Sequence, residues 1–178
     1  LAHFGGLVLV LGGLITVLTA REGFLAVPEG QNGHYISSYH DRVLVIFEGN
    51  QAIKAIPFQA LKREETFSIA DDISLTVKQT CRHCRIETRE VEADMQDMAR
   101  FMRLQPDIPK KQDEQNMNGV TFTLNSTSHP ALNGIYIAFE GMPKPITIDI
   151  DHNKTLQILM GKEQTALPFA IQLTDFRK

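Results

Sequence analysis

Residues 1–20 contain no Lys, Arg, Asp or Glu, and this run constrains the chain more than any other stretch. At about 1.5 Å of rise per residue, a helix of that length covers about 30 Å, the hydrocarbon thickness of a bilayer. Apolar side chains fill every turn, from Leu7, Val8, Leu9, Val10 and Leu11 to Leu14, Ile15, Val17 and Leu18. A helix buried on one side of a soluble core would carry a polar stripe, and this one carries none. A secretory signal ending at Leu18-Thr19-Ala20 is the competing reading. The run is long for a signal, however, and neither an initiator Met nor a basic leader precedes it. The sequence therefore predicts a membrane helix over residues 1–20, cut from a longer chain.

Two features of that helix go beyond anchoring. Gly5, Gly12 and Thr19 recur every seven residues, as do Gly6, Gly13 and Ala20. They place a strip of small residues along one side, where a second helix backbone can approach closely. Glycine is also simply common in membrane helices, and both readings stand. His3 lies near the helix start. An ionisable group at membrane depth marks function by default, because imidazole in lipid needs a partner or a metal. So close to the end, it can instead reach the headgroups.

Residues 21–178 are enough for one domain with a real core. The net charge is −3 and no basic run stands out, so nucleic acid is not an expected partner. The chain has no Trp and is rich in Thr, Ile, Val and Phe, which favours strand. Arg21 is the only basic residue near the helix end, so charge alone does not orient the domain across a membrane.

After the turn signals Glu22-Gly23 and Pro28-Glu29-Gly30, strands are predicted at His34–Tyr39 and Val43–Phe47. The second ends at Gly49-Asn50, with Ile53–Phe58 returning antiparallel. Ile73, Leu75 and Val77 alternate with polar residues, as do Val120, Phe122 and Leu124, and Ile135, Ile137 and Phe139. Ile146, Ile148 and Ile150 face Leu156 and Ile158 across Asp151-His152-Asn153-Lys154, a hairpin by its turn residues. Phe169, Ile171 and Leu173 close the series. Between them, Glu92–Leu104 carries Met95, Met98, Phe101 and Met102 at helical spacing and predicts one short amphipathic helix, closed by Pro106 and Pro109. Lys110–Asn118 reads as a polar loop. The expected fold is mainly β, an antiparallel sandwich or barrel-like domain behind an N-terminal transmembrane helix.

No nucleophile elbow, P-loop, dinucleotide fingerprint or metalloprotease motif is present. Cys81-Arg82-His83-Cys84 is the one compact reactive signature. Arg85 stands where a c-type haem attachment site needs His, and one pair supplies only two zinc ligands. A disulfide requires Cα atoms within about 7 Å, whereas residues three apart in a strand are about 10 Å apart. Bridging therefore needs a turn, and the sequence predicts one that pairs Ile73–Thr80 with Arg85–Val91 as a hairpin. A structural disulfide or inert thiols are favoured over a catalytic pair, because the β pattern offers no thioredoxin-like setting. Met95, Met98 and Met102 can supply soft thioether ligands to Cu(I), or can pack a helix against a sheet. His34, His40, His129 and His152 lie near predicted turns, where solvated side chains are expected.

Three stretches resemble a known family. His3-Phe4-Gly5-Gly6 opens the helix, and Arg21-Glu22-Gly23-Phe24-Leu25-Ala26-Val27-Pro28-Glu29-Gly30-Gln31 follows it. Together they are similar to the segment by which ResB-type cytochrome c biogenesis proteins enter their large extracytoplasmic domain. Leu167-Pro168-Phe169-Ala170-Ile171-Gln172-Leu173-Thr174-Asp175-Phe176 resembles that family's LPF-x-(I/L)-x-L-x-D-F strand. The resemblance covers about a fifth of the chain. It implies a non-catalytic subunit that works with a ResC-like membrane protein to carry haem across the membrane for attachment to apocytochrome c. It also implies the bacterial inner membrane, with residues 21–178 forming a periplasmic domain that is incomplete at its C-terminus. In this family a histidine in the helix before the domain is implicated in haem ligation, and His3 occupies the matching position. The Trp-rich haem motif of the system belongs to the ResC-like partner, and no family role carries over to Cys81 and Cys84. The alternative is a membrane-anchored periplasmic interaction or copper-binding domain using Met95, Met98 and Met102.

Overall fold

The structure is a computed structural model that describes residues 2–20, 22–70, 72–112, 115–151 and 154–175, without the side chains of Ala2, His3 and Asp151. It is mainly β, the strand ladders whose register is described are antiparallel, and the α-helix among the described residues is α1 (Ala2–Thr19). The chain divides into two compact units, Leu1–His40 with Gln164–Lys178, and Asp41–Glu163. Two long strands, β2 (Asn32–Glu48) and β11 (Lys154–Gln172), contribute to both. Each merges what the residue pattern reads as two shorter strands. No Pro or Gly interrupts the chain between His34 and Glu48, so nothing local forces a break there.

In the Asp41–Glu163 unit, the apolar alternation of the strands supplies two sheets. One is built on β2, with β3 (Gln51–Pro57) on one side and β11 and then β10 (Ile146–Asp151) on the other. Leu44 pairs with Ile56, Ile146 with Ile158 and Ile148 with Leu156. The second sheet runs β4 (Thr66–Ala70), β5 (Ile73–Cys81), β8 (Gly119–Ser126), β9 (Gly134–Phe139). Leu44, Ile46, Ile148, Leu156 and Ile158 from the first sheet meet Leu75, Val77, Val120, Phe122 and Leu124 from the second in one buried cluster. Period-two patterning on both sheets is what allows that meeting. In β9 the burial is not alternating: Tyr136, Ile137, Ala138 and Phe139 are all buried. A two-stranded ribbon, β6 (Cys84–Thr88) with β7 (Met102–Pro106), completes this unit.

Two expectations are corrected here. Glu92–Leu104 is not an amphipathic helix but a 3-10 turn, Asp97–Arg100, followed by β7. The Gln96 N–H donates to the Ile135 carbonyl at 2.9 Å and the Ile135 N–H to the Asp94 carbonyl at 2.8 Å, so β9 captures backbone groups that a helix would use. Asp97, at φ 49°, sits in the left-handed region, and the helical path ends there. The methionines find the core without a helix: Met95 is buried, and Met98 and Met102 pack against the same cluster. Tertiary pairing overrides local propensity. Nor does Ile73–Thr80 form a hairpin with Arg85–Val91. β5 pairs with β4 and β8, and β6 pairs with β7. Both edges of β5 are filled by longer ladders, so the chain turns out of the sheet at Cys81.

The other unit holds α1, β1 (Gly23–Phe24), and the remaining parts of β2 and β11. β1 pairs with β2 at Gly23↔Ser38 and Phe24↔Ser37. Leu173 receives the Gly30 N–H at 2.8 Å and donates its own N–H to the Gln31 carbonyl at 3.2 Å. Gly33 is buried, and a Cβ there would fall 2.7 Å from Val27 Cγ2 and 2.9 Å from Leu25 Cδ1. Only glycine lets the segment after β1 cross so closely. The described α1 side chains are all exposed, reaching 77% at Leu9 and 79% at Val17, so among the described residues of its own unit this helix has no packing partner. Among the described residues, no helix is long and apolar enough to cross a membrane.

The buried cluster should govern the stability of the Asp41–Glu163 unit. Phe122 is fully buried and stacks on Tyr136 with ring centroids 5.8 Å apart. Phe122→Ala is expected to lower the unfolding free energy by about 3–5 kcal/mol, read from a urea titration. A loss under about 1 kcal/mol would show that this ring is not central to the core.

Candidate functional site

The residues singled out by the sequence do not converge on one place. His3 falls in α1, and its side chain lies outside the described residues, as do Arg21, His152, Asn153 and Phe176. Gly5, Gly6, Gly12 and Gly13 share that helix, and a Cβ on any of them would meet nothing within 4 Å. The small-residue strip is thus an open surface. Thr16 and Thr19 turn their hydroxyls back to the carbonyls of Gly12 at 3.0 Å and Ile15 at 2.8 Å. Both polar groups are satisfied inside the helix and leave its outside apolar.

Cys81 and Cys84 are joined as a disulfide, with Cα atoms 5.4 Å apart and both residues buried. The bridge closes the corner where β5 ends and β6 begins. Gly119, opposite Cys81 in the ladder, lies beneath it. A Cβ on Gly119 would come within 3.1 Å of Cys84 Sγ and 2.7 Å of Leu104 Cδ1, so the bridge rests almost on bare backbone. The Cys84 N–H also donates to the Met117 carbonyl at 2.8 Å. Enclosed on these sides, the sulfurs form a clamp between the four-stranded sheet and the β6–β7 ribbon, not an accessible redox pair. The Met95 thioether is buried and accepts from Arg89 Nη1 at 3.6 Å. The histidines separate as well. His34 and His40 lie within β2, exposed, and His129 lies in the loop after β8.

Residue spacing gave no notice of a cleft of about 430 Å³ in the Asp41–Glu163 unit. Its floor is Ile53, Ala70, Ile73, Ile150 and Leu156, and its polar wall is Glu48, Asp72, Ser128, His129 and Lys154. The strands and loops that bring these residues together are distant in sequence, so no spacing could reveal it. Asp72 is its organising group. Its carboxylate accepts from the Thr127 hydroxyl at 2.6 Å, the Ser128 N–H at 2.6 Å and the Ser126 hydroxyl at 2.7 Å. Those donors, the Thr127 hydroxyl first and the Ser128 N–H next, hold the carboxyl well below the usual carboxylate range. It is therefore a fixed anion and a poor proton donor at neutral pH. Lys154 Nζ stands 3.6 Å from Glu48 Oε1. Tyr136, elsewhere in the core, donates to the Leu132 carbonyl at 3.0 Å. Burial, and then the Asp97 carboxylate, push its phenol up to about 12, so it too is silent near neutrality.

Two polar anchors in this unit also escape the residue pattern. Arg42, only 6% exposed, donates to Glu140 Oε2 at 2.7 Å. Asn116, inside the expected polar loop, is buried and bonds both to the Lys110 N–H at 2.9 Å and to its carbonyl at 3.2 Å. Among the described residues, no three His, Cys, Asp or Glu side chains are grouped as a metal site. No protein-family model matches the chain, and no curated protein matches it.

The Asp72 cluster has a pH signature. Its folded pKa is depressed, so its contribution to stability is complete above the unfolded value of about 3.9 and is lost as pH falls from there toward the folded value. Wild-type melting temperature should therefore drop more steeply below about pH 4 than that of Asp72→Asn, which cannot ionise. Parallel curves for the two proteins in a calorimetric pH series would remove the cluster from any account of acid lability.

Proposed function

We propose that this chain is a ResB-like component of a haem-delivery and cytochrome c assembly complex. In this reading α1 lies in the bacterial cytoplasmic membrane and the β units face the periplasm. The observation that carries the reading is the helix itself. Its described side chains are exposed and apolar all round, and its two threonines are satisfied internally. Such a surface is stable in lipid and costly in water. Two of the three stretches that resemble the ResB family are the segment that follows the helix, Arg21–Gln31, and Leu167–Phe176, and they meet where the Gly30 N–H donates to the Leu173 carbonyl and the Leu173 N–H donates to the Gln31 carbonyl. These two stretches are therefore neighbours in space.

Haem is the cargo in this reading, and the helix can accommodate a flat neighbour. Taking His3 as the origin at about 100° per residue, Gly6 lies about 60° away and Gly13 about 80° away on the same flank. The open strip of Gly5, Gly6, Gly12 and Gly13 would meet the partner's helix or the macrocycle, and the His3 imidazole would supply one axial ligand to iron. A ResC-like partner would supply the other side of the seam, and the periplasmic β units would present the complex to apocytochrome c. The disulfide has no part in this chemistry and holds a corner of the fold. The competing copper reading needs a helical face of Met95, Met98 and Met102. The chain there is a 3-10 turn and a strand, with these side chains packed on the core.

His3→Ala tests the reading in the complex purified with its ResC-like partner. Far-ultraviolet dichroism should be unchanged, because His3 belongs to α1 and to none of the strands. Haem retention should fall about tenfold or more, the scale on which even supporting partners of a metal ligand act. Added imidazole should restore part of it. An unchanged haem spectrum in the variant would make His3 an interfacial residue. Cys81→Ser with Cys84→Ser should keep haem and cytochrome maturation, and losing either would give the pair a role beyond the fold.

A further inference from the structure

The sheet surface that follows α1 is unlike the rest of the molecule. Residues 30–40 and 164–174 contain no Asp, Glu, Lys or Arg, in a chain that is 22% charged. These stretches are the parts of β2 and β11 that belong to the same unit as α1. Apart from Gly33, they are half-buried or exposed. Tyr35 is 56% exposed and Tyr39 41%, while the adjoining strand exposes Phe169 at 58% and Ile171 at 44%. Phe24 of β1 stands against Tyr39 with ring centroids 5.3 Å apart, which extends the aromatic surface toward the helix. An exposed, uncharged, aromatic-bearing sheet in water is an interaction surface.

The connection to α1 identifies what covers it. Only Ala20, Arg21 and Glu22 separate the last helical residue, Thr19, from Gly23 of β1. Even fully extended, that link spans about 14 Å. The headgroup layer on each side of a bilayer is about 5–8 Å thick. With α1 in the bilayer, β1 and the strand it pairs with at Ser37 and Ser38 are held at or just above that layer. Tyrosine has an apolar ring and a hydrogen-bonding tip, which suits it to this boundary, and the missing charges remove the main cost of entering it. We infer that the sheet formed by β1, residues 32–40 of β2 and residues 164–172 of β11 lies on the lipid surface, with Tyr35 and Phe169 seated in the headgroup–acyl boundary. This rests on the membrane reading of α1. Its consequence is that this unit is held against the bilayer by its own sheet as well as by its helix.

The chain has no Trp, so single indole probes report without background. The full chain would be reconstituted in phosphatidylcholine vesicles carrying lipids brominated either just below the headgroup or near the chain ends. Four variants are compared: Leu9→Trp in the helix, Tyr35→Trp and Phe169→Trp in the sheet, and Thr147→Trp on the exposed face of β10. Leu9→Trp should be quenched most by the deep bromines. Tyr35→Trp and Phe169→Trp should be quenched about twofold by the shallow bromines, as expected for insertion of about 5–10 Å, and less by the deep ones. Thr147→Trp should be quenched by neither. If Leu9→Trp is quenched while both sheet probes are not, the lipid assignment is overturned, and a protein partner or a second copy covers that face. If Leu9→Trp itself escapes quenching, the membrane reading of the helix has failed first. The sheet positions are both exposed, so a folding defect in one probe leaves the other to decide.

Discussion

The pairing of β2 with β11 is the constraint on which the rest depends. These two strands run through both compact units, and each of the other strands in their sheet attaches to one of them: β1 and β3 to β2, and β10 to β11. Where they pass through the Asp41–Glu163 unit, β2 is continuously apolar from Val43 to Phe47 and β11 alternates, and Leu44, Ile46, Leu156 and Ile158 are essentially inaccessible there. Beyond that unit the large side chains of the same strands are half-buried or exposed. One pair of strands thus carries a cored segment and an uncored one, and the change of side-chain character along them marks the boundary.

The cored part was readable because burial imposes a period. Ile73, Leu75 and Val77, and likewise Val120, Phe122 and Leu124, alternate with polar residues in sequence and are buried as that alternation requires. The β10–β11 register, with Ile146 opposite Ile158 and Ile148 opposite Leu156, follows from matching apolar positions across a turn. What misled was a segment whose period fits two answers. Met95, Met98 and Met102 suit one face of a helix, yet the backbone there is taken up by β9, and flexible thioethers reach the core from a strand as readily. The hairpin expected around the cysteines failed for another reason. A turn can be inferred locally, but which strand an edge pairs with depends on all the other strands.

The candidate sites divide along the same line. Single residues such as His3, or a close pair such as Cys81 and Cys84, can be named from sequence because chemistry limits what they do. The Asp72 cleft could not be, because Asp72 meets Ser126, Thr127 and Ser128 only through the fold. The one hint was the run Ser126-Thr127-Ser128, a set of short hydroxyl side chains able to surround an anion. Arg42 is similar. A charged residue just before an apolar run looks like a surface position until Glu140, far along the chain, is brought 2.7 Å from it.

β11 has one more property that bears on self-association. β10 pairs with it only as far as Ile158, so among the described residues the later part of β11 has one ladder edge without a strand. The Leu173 N–H points to Gln31, and counting back along a regular strand turns the backbone of Pro168 toward the opposite side, the open edge. Proline has no N–H to offer there. A second β11 laid alongside would meet a gap in the donor row near its middle, with Phe169 and Ile171 close by. The apolar sequence that suits this strand to a greasy environment would otherwise make it a template for fibril-like stacking, and a single imino acid interrupts that ladder.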